Sequence, residues 1–177
     1  MDVRNAIDFL QDKYSFGAKY VVIGHSAGAT LAYQLLMADP RPASERKKFD
    51  QPLCVVGIAG IYDLKLVVED HPTIPEYRSF VTGAFGADES EWEQSSPANF
   101  ERFKKNWKDG HLALLVRLEG DELVETEQVD VMRKCLQKYL GEEMSEYREF
   151  EGGHDEVWEK GDQIAGLIFD VVTRLSK

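Results

Sequence analysis

The stretch Tyr20-Val21-Val22-Ile23-Gly24-His25-Ser26-Ala27-Gly28-Ala29-Thr30 constrains the fold more than any other part of the chain. Four strand-forming residues run into a Gly-X-Ser-X-Gly turn. Leu31, Ala32, Leu35, Leu36 and Ala38 then recur at helical spacing. The bare pattern arises by chance in roughly one chain of this length in twenty. The weight therefore rests on the strand before it and the helix after it. A strand that turns so abruptly into a helix admits only small residues around the serine, which accounts for Gly24, Ala27, Gly28 and Ala29. Ser26 is expected to stand exposed beyond the strand, above a helix N-terminus that favours developing negative charge. The plainer alternative is a strand-turn-helix junction whose serine merely caps the helix.

The same alternation continues along the chain. Val3, Ala6, Ile7, Leu10 and Tyr14 mark a first helix, with Asp2 as its cap and Gly17 as its stop. Asp39-Pro40-Arg41-Pro42 breaks the helix that follows Ser26, and residues 53–60 read as a fully buried strand. Residues 112–118 give a third strand. Residues 146–150 alternate like an edge strand and end at Gly152-Gly153-His154. A helix starting near Thr126 carries Val129, Met132, Leu136 and Tyr139, and a last one carries Ile164, Leu167, Ile168, Val171, Val172 and Leu175. Strands alternating with helices in this way imply an α/β fold, a parallel sheet flanked by helices with right-handed crossovers. Functional groups then gather at the carboxyl ends of the strands. Residues 71–110, rich in aromatic and charged groups and broken by Pro72, Pro75 and Pro97, read as a helical excursion over that end and a pocket wall.

The 177 residues suit one domain spanning 1–177. A net charge of −11 argues against nucleic acid or an anionic membrane as partner, because phosphates would be repelled. Runs such as Asp88-Glu89 and Glu142-Glu143 read as solvated faces. Cys54 and Cys135 show no disulfide framework and no metal-ligand spacing, so free thiols are expected. Met1-Asp2-Val3-Arg4 lacks the apolar core of a signal peptide, and no apolar run reaches the length of a membrane span. The expectation is a cytoplasmic protein acting on a small-molecule substrate, with a homodimer left open.

A serine hydroxyl attacks well only when a base takes its proton, and an imidazole suits that task near neutral pH. His154, just beyond the fourth strand, is the candidate base. Asp121, just beyond the third strand and after Gly120, is the candidate carboxylate that orients it. Glu119 and Glu122 compete with Asp121 from the same turn. His25 sits beside the serine, where its side chain is expected to point away. His71 and His111 read as surface or packing residues, and Asp155 as a solvent-facing or helix-capping neighbour of His154. No His-Glu-X-X-His or phosphate-cradling Gly-rich loop points to metal or nucleotide chemistry. The order serine, aspartate, histidine is that of α/β-hydrolases.

At these residues the chain resembles the fungal branch of the kynurenine formamidases (arylformamidases), serine hydrolases of the α/β-hydrolase superfamily. The resemblance runs through residues 24–30, Gly60-Ile61-Tyr62-Asp63-Leu64, Ala84-Phe85-Gly86, Gly120-Asp121-Glu122-Leu123-Val124 and His154-Asp155-Glu156-Val157-Trp158. It implies Ser26 as nucleophile, Asp121 as acid, His154 as base and the Ala27 amide as one oxyanion donor. The implied reaction is hydrolysis of N-formyl-L-kynurenine to L-kynurenine and formate, without a cofactor. Tyr62, Phe80, Phe85 and Trp92 become candidate contacts for the substrate ring, with core packing as their alternative role. The family carries a His-Gly-Gly oxyanion loop upstream of the elbow, whereas Met1 lies one helix before the Ser26 strand. The expectation is therefore a fragment, a truncated gene product or a shortened relative, with the Ser26 strand as an apolar edge. A general carboxylesterase with the same triad, and a non-catalytic protein binding a partner through that edge, are the competing readings.

Overall fold

The structure, a computed structural model, describes residues 2–39, 44 and 50–176. Among these residues four strands, β1 (Val21–His25), β2 (Cys54–Ile58), β3 (Leu112–Leu118) and β4 (Ser145–Phe150), pair in chain order into one parallel sheet. Val21 lies opposite Cys54, Cys54 opposite Leu112, and Ala113 opposite Ser145. Every β-residue of β2 is buried, as its unbroken apolar run requires when both faces are covered. β4, whose residues are all half-buried or exposed, is an edge as expected, and β1 is the other.

The period of two sorts the strands onto two cores. Val55, Ala113 and Leu115 face α2 (Ala27–Gln34) and α7 (Thr126–Tyr139), packing on Tyr33, Leu36, Met132 and Leu136. Cys54, Val56, Leu114 and Val116 face the other way, onto Val157 of α8 (Glu156–Lys160) and Leu167 and Val171 of α9 (Asp162–Leu175). Burying one such leucine or valine stabilises the fold by roughly 1.5–3 kcal/mol. Both cysteines are buried and unpaired with one another.

Between β2 and β3 the chain makes four helices, α3 (Leu64–Asp70), α4 (Pro75–Phe85), α5 (Glu89–Ser95) and α6 (Phe103–Asn106), so the helical excursion starts earlier than residue 71. Its first three helices build a small core of their own from Ile61, Leu64, Val67, Val81 and Trp92. Asp63 caps α3 by accepting from the amides of Lys65 and Leu66, a contact whose loss typically costs about 1 kcal/mol.

Three local expectations change. The first helix, α1 (Asp2–Tyr14), already includes Asp2 instead of being capped by it. The helix after Ser26 ends at Gln34, short of Ala38. The single Arg4 Nη2 donates to the carbonyls of Gln34, Leu35 and Met37 and satisfies the helix end there. The break expected at Asp39-Pro40-Arg41-Pro42 lies, beyond Asp39, outside the described residues. The second strand stops at Ile58 because Ala59 takes a φ of 48°, a left-handed conformation that ends pairing.

Candidate active site

Ser26 sits at the junction of β1 and α2 with φ 55° and ψ −126°, a conformation rare for a residue with a side chain. Its amide donates to the Ile58 carbonyl at 2.9 Å, so the strained residue is tied to the end of the neighbouring strand. The glycines of the turn are unequal. A Cβ at Gly24 would lie 2.1 Å from the Gly28 carbonyl oxygen and 2.6 Å from the Ala29 nitrogen. A Cβ at Gly28 would meet nothing within 4 Å. The size limit expected on both sides of the serine therefore falls on Gly24, which must let the backbone of α2 pass. Ala29 is fully buried, while Ala27 is exposed as the first residue of α2. N–H groups at that position have no partner within the helix.

Asp121 and His154 come together at the same end of the sheet. His154 Nδ1 lies 2.9 and 3.0 Å from the two carboxylate oxygens of Asp121, and both side chains are only 5% exposed. A carboxylate only accepts, so Nδ1 carries the proton and Nε2 keeps its lone pair for a substrate or nucleophile. Asp121 Oδ1 also accepts from the amides of Leu123 and Val124. Burial pushes the Asp121 carboxyl up, and the bonds from His154 and the two amides more than reverse this, leaving it below the usual carboxylate range. The hydrogen bond to Asp121 raises the His154 imidazole above its ordinary value despite its burial.

Glu119 and Glu122 do not compete for the imidazole. Glu119 is exposed, its amide bonded to Phe150, and Glu122 Oε2 accepts from the His154 backbone amide at 3.0 Å. His71 stacks on Tyr77 at 3.7 Å, and His111 is exposed on the far end of β3. Asp155 does not cap α8 with its side chain; Oδ1 accepts from the Trp158 indole.

One expectation is overturned by placement, and for Tyr62 the second of its two roles is the one the structure favours. His25 does not point away: its Nε2 is 2.9 Å from the His154 carbonyl oxygen, and the two rings lie 4.5 Å apart. The partner is a backbone atom 129 positions away, which leaves no mark in the sequence. Tyr62 is wholly buried against Tyr33, with its hydroxyl unpartnered, so its ring packs the core instead of facing a substrate. The segment around it is held from within. Thr30 donates to the Ile61 carbonyl, Gln128 Oε1 accepts from the amides of Tyr62 and Asp63, and a Cβ at Gly60 would strike the Tyr62 ring. Trp92 is likewise buried and Phe85 half-buried, while Phe80 is 42% exposed.

The Ser26 hydroxyl makes no hydrogen bond among the described residues; such bonds often tighten only once substrate is bound. No group of metal-ligating side chains occurs among the described residues.

Four parallel strands with a strained serine at the end of one, and a hydrogen-bonded aspartate and histidine beyond two others, define the class: the chain has the α/β-hydrolase fold. A solved acetyl ester-xyloside bifunctional hydrolase from Caldicellulosiruptor lactoaceticus matches it with a TM-score of 0.62 at 16% identity, over 88% of this chain and 55% of that one. Within the class the chain is similar to proteins named kynurenine formamidase or kynurenine formamidase-like, in line with the resemblance its motifs carry. The chain is 38% identical over 94% of its length to the kynurenine formamidase-like hydrolase fscH of Fusarium equiseti. It is 35% identical over 92% of its length to the kynurenine formamidase avaC of Aspergillus versicolor. It spans 56% and 63% of those two relatives. No family model matches the chain. Among the described residues no helix is long and apolar enough to cross a membrane.

Proposed function

We propose that the chain carries the catalytic part of a serine hydrolase that cleaves N-formyl-L-kynurenine, with Ser26, His154 and Asp121 as its triad. The observation that carries this reading is the buried Asp121–His154 pair, standing at the strand ends where the Ser26 elbow also lies. Similarity to kynurenine formamidases over nearly the whole chain supports the substrate.

In this mechanism His154 Nε2 takes the Ser26 hydroxyl proton as Oγ attacks the formyl carbon, and Asp121 holds the resulting imidazolium in place. The tetrahedral oxyanion accepts a hydrogen bond from the Ala27 amide. Collapse breaks the carbon–nitrogen bond, and His154 passes its proton to the departing aryl amine. A water then loses a proton to His154 and attacks the formyl-enzyme, releasing formate and restoring Ser26. The chemistry uses no cofactor. Phe80 is the exposed aromatic candidate for the substrate ring, on a helix whose Tyr77 hydroxyl is bonded to the Leu123 carbonyl two residues beyond Asp121. The same reading takes residues 1–177 as one α/β-hydrolase domain acting in the cytoplasm.

The test follows kynurenine absorbance after addition of N-formylkynurenine, in parallel with covalent labelling by a fluorophosphonate. Turnover and labelling that both vanish in Ser26→Ala are expected. A folded chain that is neither labelled nor active would overturn the reading, and turnover of short aryl esters alone would reassign the substrate to the carboxylesterase alternative.

A further inference from the structure

The loop bearing His154 is gripped at both backbone polar groups by side chains from two other loops. On one side Glu122, from the turn after β3, accepts the His154 N–H at 3.0 Å. On the other, His25, from the elbow itself, reaches the His154 carbonyl at 2.9 Å. From the geometry we infer that His25 and Glu122 are positioning residues, a two-sided clamp that fixes the backbone of the base relative to the nucleophile turn. The inference rests on the reading of His154 as base.

Three physical points support it. First, β1 and β4 are opposite edges of the sheet, separated by β2 and β3. Among the described residues no strand pairing sets the Ser26 turn against the His154 loop, so contacts across the strand ends must do so. The His25 bond is such a contact, and the adjacent residue in the chain is the nucleophile. Second, the carbonyl can only accept, so His25 must present an Nε2–H. Burial together with the neighbouring His154 ring lowers the His25 pKa, which favours the neutral imidazole with a single proton. A neutral ring 4.5 Å from the base adds no repulsion when His154 becomes an imidazolium. Third, the loop has no side chain on either residue before His154. Gly152 adopts a φ of 109°, and a Cβ on Gly153 would approach Glu122 Oε2 to 3.0 Å. Such a loop turns freely unless its backbone is held. Gly152 itself accepts from the Gly120 amide at 3.1 Å, and the Gly153 amide donates to Glu156 Oε2 at 3.0 Å, so every residue from 152 to 154 is hydrogen-bonded.

The clamp also separates the three acidic residues of the 119–122 turn by function. Asp121 holds the imidazole, Glu122 holds the backbone that carries it, and Glu119 faces solvent. Adjacent carboxylates thereby fix two different degrees of freedom of one histidine.

The experiment compares His25→Phe, which keeps a ring but no donor, with His25→Gln, which keeps a donor, and Glu122→Ala with Glu122→Gln. Fluorophosphonate labelling and formamide turnover should fall about tenfold in His25→Phe and Glu122→Ala with KM unchanged, the rate ratio expected when about 1.4 kcal/mol of positioning is lost. Both glutamine variants should recover most of it. A second measurement needs no catalysis: nitrogen-15 spectra of the histidine rings in the full chain should show His25 neutral with the proton on Nε2. The His154 Nδ1–H resonance should shift or broaden in His25→Phe. Wild-type rates in His25→Phe and Glu122→Ala, equal losses in the phenylalanine and glutamine variants, or a proton on His25 Nδ1 would each overturn the clamp. An unlabelled wild type with the expected His25 tautomer and the expected His154 shift would instead remove the hydrolase reading and leave the clamp standing as structure.

Discussion

The edge strand β4 is laced with charge, whereas the edge strand β1 opens on three apolar residues. On β4, Arg148 bridges Glu146 at 2.6 Å and Asp170 of α9 at 2.5 Å, Arg174 of α9 reaches Glu146 at 2.7 Å, and Arg117 of β3 reaches Glu149 at 3.2 Å. The bonds from Arg148 and Arg174 hold Glu146 and Asp170 below the usual carboxylate range. On β1 the residues Val21, Val22 and Ile23 are each part-exposed. Interleaved charge protects an edge strand from pairing with another chain, and an apolar edge invites it. One rim is therefore finished as a surface and the other as an interior. The proposed catalytic groups are divided in the same way: Ser26, the proposed nucleophile, belongs to the open rim, and His154, the proposed base, to the closed one.

The largest expected effect comes from the closed side. Asp121→Asn should slow fluorophosphonate labelling by about 10⁴-fold, the order seen when the orienting carboxylate of a serine protease is replaced by an amide. With Asp121 intact, labelling should climb with pH and level off above 6.5, because the raised His154 value must be passed before the base is neutral. Stability runs the other way. The contribution of His154 is complete below 6.5 and is lost as pH rises through its raised folded value. That of Asp121 is complete above 3.8 and is lost as pH falls through its lowered one. Melts across pH should therefore show this pair contributing most between those two values, short of the pH at which labelling is fastest.

Next in size, Gly24→Ala on the open side should destabilise the fold by about 3 kcal/mol through overpacking and abolish labelling. Gly120→Ala, whose new methyl would approach the Gly152 carbonyl oxygen at 3.0 Å, should be the milder change in urea titrations. If the two proved equal, the elbow would not be the tighter of the two turns. Arg148→Ala should cost about 1 kcal/mol or less, and the loss should shrink in high salt as expected for partly exposed ion pairs. Smallest in energy, but most direct for the comparison, is Val22→Lys. The wild-type chain is expected to self-associate with concentration in light scattering, and the lysine should suppress this while a lysine at Glu149 should not.

What could be read from the residues follows from where the physical signal is local. β2 and β3 were legible because a strand covered on both faces must be a continuous apolar run. Asp121 and His154 were legible because each stands just past a strand in a glycine turn, and parallel strands bring such turns to one end. The early end of α2 was not, since it depends on Arg4, 30 and more positions upstream, reaching bare carbonyls. Tyr62 stayed open between two roles because an aromatic after a strand looks the same whether it lines a pocket or plugs a core; the deciding contacts come from Tyr33 and Gln128. His25 was invisible for the same reason in reverse, its partner being a carbonyl that every residue possesses.

The backbone at Ser26 has a cost that falls on the whole molecule. A side-chain-bearing residue held at φ 55° and ψ −126° sacrifices about 1–3 kcal/mol that glycine would not. Ser26→Gly should therefore melt at a higher temperature than the wild type, even as it loses the hydroxyl. Drift under selection for folding alone would move this position towards glycine, so a serine there is maintained only where something other than stability favours it.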